Sequence, residues 1–178
     1  MAPILGIYAS SASPNVYNNS YESIATVTIG AGGATTASFT SIPSTYQHLQ
    51  IRVFAKTGDG NPYGNAAVTL NGAAGEYRHD LYGTGAAAGA SASATSFISY
   101  IGGTAQFGVA IIDILDYADT NKAKTIRGLG GADNNGSGLV ALTSGLETST
   151  TTVSSITLTS NSGNFPQYSS FALYGIKG

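Results

Sequence analysis

Residues Gln47–Lys56 alternate strictly between two kinds of side chain. Leu49, Ile51, Val53 and Ala55 fall on one parity, and His48, Gln50, Arg52, Phe54 and Lys56 on the other. A period of two is the period of a β-strand, so this segment reads as a strand with one dry face and one wet face interrupted by a phenyl ring. Ser154–Thr159 alternates in the same way, and Ile24–Ile29 is rich in β-branched residues that suit a pleated surface. Ser169–Ile176 sets Ser170, Ala172, Tyr174 and Ile176 against Phe171, Leu173 and Gly175. Gly108–Leu115 is nearly continuous apolar, as a central strand covered on both faces is. A buried helix is the competing reading, but flanking glycine and three isoleucines favour a strand.

Between these runs lie turn signals at short, fairly even spacing: Gly30–Gly33, Gly58–Pro62, Asn71–Gly72, Asp133–Gly138 and Asn161–Gly163. Glycine and asparagine reach positive φ at little cost, and Asn-Gly is the strongest short hairpin signal. The small residues of Ala86–Ala94 read as a loop, and no amphipathic helix is evident. About nine or ten strand candidates bounded by turns predict an all-β fold, an antiparallel β-sandwich of jelly-roll-like form. The sandwich is assigned to residues 22–178. Residues 1–21 form an N-terminal arm or edge segment, because Pro3, Pro14 and the polar Asn15–Ser20 stretch interrupt any long strand.

Composition narrows the function classes. Charged residues make up 9% of the 178-residue chain, against about 25% in an ordinary domain. Apolar residues make up 42%, with 11 Tyr and 6 Phe, so the low charge does not signal disorder. Serine and threonine together number 41, and hydroxyls take over much of the hydration that charges usually provide. Cysteine is absent, which excludes disulfides, a thiolate nucleophile and cysteine-ligated metals. Net charge is -2, and the seven basic residues form no stripe, which argues against nucleic acid. The only concentration, Lys122, Lys124 and Arg127, has Asp116 and Asp119 beside it. Apolar runs fall far short of the 20 or so residues a membrane helix needs, and the first residues make a poor signal peptide.

Candidate catalytic groups are few. His48 lies on the polar face of a predicted strand, where a solvated or hydrogen-bonded role is the ordinary reading. His79 stands in the charged run Glu76–Asp80, and no G-x-S-x-G elbow offers a nucleophile. Asp113, Asp116 and Asp119 are the only close carboxylates, but Asp113 and Asp116 are an odd number apart and point to opposite faces of a strand. Asp116–Lys122 therefore reads as a polar hairpin loop whose side chains satisfy its own backbone. It lacks the spacing of a calcium loop. The glycine clusters Gly30–Gly33 and Gly128–Gly131 miss the dinucleotide fingerprint and read as turns. No catalytic, cofactor or metal residue is assigned, and the chain is expected not to be an enzyme.

Two sets of residues are candidates for binding. Ile4, Leu5, Ile7 and Tyr8 are too apolar for a free tail and are expected to lie on a neighbouring subunit, an edge strand of the same domain being the alternative. Tyr63, Tyr77 and Tyr82 bracket loops with Arg78, His79 and Asp80, and their rings suit a glycan. The competing reading packs those rings into the core with the hydroxyl reaching water. The lack of tryptophan weakens a carbohydrate-binding module.

Three segments carry a family resemblance: Ser41–Arg52 (SIPSTYQHLQIR), Asp113–Lys122 (DILDYADTNK) and Gln167–Lys177 (QYSSFALYGIK). Together they resemble a group of tailed-bacteriophage virion structural proteins. The resemblance runs from about residue 4 to the end, with the 84–94 region departing as short and Ala/Gly-rich. It implies an exterior structural role without transferable catalytic residues. The function this implies is a capsid cement or decoration protein, partnered by the major capsid protein, with Ile4, Leu5, Ile7 and Tyr8 as the capsid contact, and by itself as a homotrimer. The alternative is a tail or tail-fibre module binding host-surface glycan. Either places the protein on the virion exterior.

Overall fold

A computed structural model describes residues 20–178 apart from 59, 74, 75 and 95. The arm residues Ile4, Leu5, Ile7 and Tyr8 lie outside the described residues. Among the described residues there are twelve strands and no helix: β1 (Tyr21–Thr28), β2 (Thr36–Phe39), β3 (His48–Ala55), β4 (Tyr63–Leu70), β5 (Glu76–Gly83), β6 (Ala88–Ser93), β7 (Phe97–Gly102), β8 (Gly108–Leu115), β9 (Lys124–Asp133), β10 (Gly138–Glu147), β11 (Ile156–Ser160) and β12 (Ser170–Ile176). They form an eight-stranded sheet in the order β1-β12-β3-β8-β9-β10-β5-β6 and a four-stranded sheet in the order β2-β11-β4-β7. Every strand pair is antiparallel.

The strand order explains the size difference between the sheets. Without β5, β6, β9 and β10, the two sheets read β1-β12-β3-β8 and β2-β11-β4-β7. That is the eight-stranded double Greek key of a jelly roll. The hairpins β5–β6 and β9–β10 are inserted into it and lengthen one sheet by four strands. Their pairing is continuous, from β8 through β9 and β10 to β5 and β6.

The core lies between the sheets, where the period of two sends every second side chain. Leu49, Ile51 and Val53 of β3, Ile112 and Ile114 of β8, and Phe171 and Leu173 of β12 face Ala66, Val68 and Leu70 of β4 and Ile156 and Leu158 of β11; all are buried. The expected strands around residues 24–29, 47–56, 108–115, 154–159 and 169–176 are all present, with the predicted parity in β3 and β12.

Four expectations are corrected. Ala86–Ala94 is not a loop: β6 pairs with β5, because small side chains leave the backbone free to form a ladder at the sheet edge. The cluster Gly128–Gly131 is not a turn but lies inside β9. Its glycines admit β7, which crosses the inner face closely. A Cβ on Gly128 would stand 3.2 Å from Phe97 Cζ, and one on Gly130 would meet the Tyr100 carbonyl oxygen and come within 2.7 Å of Ala110 Cβ. Asn71–Gly72 does form a tight turn, with φ of 53° and 71°, yet it leads from one sheet to the other rather than closing a hairpin. Finally, among the described residues β8 is covered on one face only, since Val109 and Ile111 are exposed.

The crossing of β7 over β9 makes a prediction. Gly130→Ala drives a methyl into backbone, where no rotamer change relieves it, and is expected to cost about 1–3 kcal/mol. Calorimetry should register about 2–4 °C of Tm per kcal/mol. An unchanged Tm would mean that β7 does not press on β9.

Candidate interaction surface

The bare face of β8 belongs to a larger feature. On the outside of the eight-stranded sheet, register aligns residues of successive strands into rows running across it. One row contains Ile111, Leu129, Leu142 and Leu81, which are direct partners from β8 to β5. The next contains Phe54, Val109, Gly131, Val140 and Gly83. Val109 and Leu81 are each 62% exposed, Val140 60%, Leu129 54%, Leu142 50% and Ile111 44%. No element among the described residues lies over them.

Towards one end this face becomes a groove of about 880 Å³, with Val109, Ile111, Leu129 and Val140 on its floor and the loops at Thr84 and Ser137 on its rim. Polar and charged groups keep to the margins. Gln50, Asp113, Arg127, Ser144 and His79 form the adjoining row, in which Gln50 donates to Asp113 Oδ1 at 2.8 Å. Arg52, beside Ile111, turns away from the apolar rows: its guanidinium lies 4.9 Å from the Tyr174 ring centroid and 5.7 Å from that of Tyr21.

The three candidate tyrosines do not form one site. Tyr77 and Tyr82 are an odd number apart on β5 and face opposite ways. Tyr77 is exposed on the outer face, where it pairs with Leu146. Tyr82 shares the inner face with Arg78 and Asp80, whose side chains form an ion pair at 2.8 Å, with Ser91 donating to Asp80 at 2.9 Å. Tyr63 stands beside Tyr100, with ring centroids 6.4 Å apart. Burial, and then the charge of nearby Asp80, raise the Tyr100 hydroxyl above its ordinary pKa; Tyr63 and Tyr82 act on the same hydroxyl more weakly. Tyr63 therefore stands beside Tyr100, which the sequence reading did not single out, while the Tyr82 ring lies over Gly89 of β6 and Tyr77 stands apart.

The remaining candidates have structural partners. The 116–122 loop is the polar hairpin expected between β8 and β9. The Asn121 amide donates to Asp119 Oδ1 at 2.7 Å and, with Lys122, holds that carboxyl below its usual pKa. Lys122 contacts Asp116 at 3.0 Å and Asp119 at 3.3 Å, which raises its own pKa. His48 Nδ1 accepts the Asp116 amide at 3.0 Å. Lys124 is fully buried, and its ammonium donates to the carbonyls of Asp119, Lys122 and Thr150; burial pushes its pKa down. His79 remains on the outer face of β5, apart from these groups. Among the described residues, no three His, Asp or Glu side chains are grouped to hold a metal ion, and no helix is long and apolar enough to cross a membrane.

The three segments behind the family resemblance converge at one end of the sandwich. The buried Tyr117 hydroxyl donates to the Pro43 carbonyl, His48 receives the Asp116 amide, and Ile176 pairs with His48. These contacts hold the loops at that end together. Compared with known proteins, the chain matches no family model, no curated protein and no solved structure.

The aliphatic residues of the outer face escaped the sequence reading, although a signal was present. Val109, Ile111, Leu129, Val140 and Leu142 stand at positions where a strand covered on one face would alternate to polar residues. Apolar residues on both parities imply two covers, and the described residues provide one.

Proposed function

We propose that this protein is a non-enzymatic structural component of a tailed-bacteriophage virion, a cement protein on the particle exterior that binds and stabilises the major capsid shell. The observation that carries the reading is the bare apolar face of the eight-stranded sheet, which suits a subunit of a larger protein assembly and not a chain that works alone. Scattered exposed aliphatic residues are ordinary, but contiguous rows of them mark contact with other protein. Low charge supports the same reading, because many copies pack side by side without accumulating repulsion. So do the three segments that resemble virion proteins. The ionisable groups of the 116–122 loop and the Arg78–Asp80 pair are engaged in structural contacts, which supports a role without catalysis.

The alternative, a tail or fibre module for host glycan, draws on the neighbouring Tyr63 and Tyr100. Tyr77, on the far face of β5, takes no part in it.

Cosedimentation tests the proposal. The purified protein is expected to pellet with expanded capsids lacking it and to raise their disruption temperature. Binding to tails or host cells in place of capsids would establish the alternative, and binding to none of these would overturn both.

A further inference from the structure

We propose that the outer face of β8, β9, β10 and β5 is where a second copy of this chain packs, so that the protein is a closed homo-oligomer before it meets any other partner. The inference rests on reading this face as an assembly surface, and it names the occupant.

Area is the first argument. Ile111, Leu129, Leu142, Leu81, Val109, Val140 and Phe54 are between 44% and 62% exposed and together present on the order of 700 Å² of surface, at or above the largest patch on a typical monomer. A stable interface takes about 800 Å² from each partner, of which about 65% is apolar in homodimers. The face supplies that from contiguous rows, with charge at its rim, as the core of an obligate contact requires.

Width is the second. One extended segment is about 4.8 Å across, whereas the bare rows cross four strands, about 19 Å. An arm segment such as Ile4–Tyr8 would leave most of the face wet. A sheet of equal width covers it, and every copy of the chain carries one.

Charge at the rim is the third. Asp113 and Arg127 stand opposite each other in the β8–β9 register, with His79 further along the same row. A rim carrying both signs complements itself when a second copy is turned against it, and it gives no advantage to a partner of one strong charge.

Analytical ultracentrifugation of the full chain at micromolar concentration tests the inference. The expected mass is a multiple of 17.9 kDa. The double variant Leu129→Asp/Leu142→Asp should sediment as a 17.9 kDa monomer with the β circular dichroism of the parent. If that variant misfolds, the single change Leu81→Asp, at the margin of the patch, should weaken association at least tenfold with the fold intact. A monomeric parent, or a folded variant that stays associated, overturns the inference. It also fails if the parent is monomeric and removal of residues 1–14 makes it associate, because the arm is then the cover. It fails equally if copies meet only on capsids, because the shell is then the cover. Capsid cosedimentation is read separately: an oligomer that binds no capsid overturns the virion proposal and leaves this inference standing.

Discussion

Phe97→Ala is expected to destabilise the domain by about 3–5 kcal/mol, the range for emptying a fully buried aromatic site. The ring is fully buried and is the wedge by which the short sheet holds the long one. It lies on Gly128 of β9 and Gly145 of β10, two positions without a side chain of their own. Removing it leaves a void floored by glycine at two positions that have no side chain to fill it. Against a typical total of about 5–15 kcal/mol, the loss is large. Urea unfolding should show a lower midpoint at unchanged slope. A loss below about 1 kcal/mol would show that β9 and β10 are not held through this ring.

Removal of residues 1–14 is expected to abolish capsid binding while leaving a folded β domain. Burying one aliphatic side chain contributes about 1.5–3 kcal/mol. Ile4, Leu5, Ile7 and Tyr8 together are worth several kcal/mol per subunit after ordering losses. Affinity for expanded capsids should fall at least 100-fold, equivalent to about 2.7 kcal/mol or more, with Tm little changed. If the arm is instead an edge strand of its own domain, Tm drops by many degrees. Undiminished capsid binding by a stable truncated domain would exclude the arm as the clip.

Much of the sandwich was legible because its signal is local. In β3 and β12 the alternation of Leu49, Ile51 and Val53, and of Phe171 and Leu173, states the inner face residue by residue. The turns at Asn71–Gly72 and Asp133–Gly138 were legible for the same reason, since positive φ is written in residue type. What a turn connects is not local. Asn71–Gly72 has the chemistry of a hairpin and serves as a passage between sheets, because the partners of β4 lie in β7 and β11. The glycines of β9 were misread because a strand glycine has meaning only beside the element that approaches it, here β7, about 30 residues earlier in the chain.

The candidate surface was hidden by a reasonable inference. An apolar run such as Gly108–Leu115 usually means two covers, and the second cover was assumed to lie within the chain. The tyrosines failed for another reason: their nearness in sequence suggested a cluster, yet the pleat of β5 separates Tyr77 from Tyr82. Tyr63 found its ring neighbour in Tyr100, brought alongside by the pairing of β4 with β7.

The nesting of the jelly roll has a consequence for how the domain is made. β1 pairs with β12 and β2 with β11, so the earliest described strands wait for the last. During synthesis, β3 gains β8 and the inserted hairpins close on themselves, but neither β1 nor β2 finds its in-sheet neighbour until β11 and β12 leave the ribosome. For most of translation the nascent chain shows its aliphatic residues to the cytosol, and the final closure joins segments over 100 residues apart. Pairings so distant in sequence fold slowly and leave strand edges open to wrong partners in the interval. Yield on expression should therefore depend more on temperature and chaperone supply than the stability of the finished sandwich would suggest.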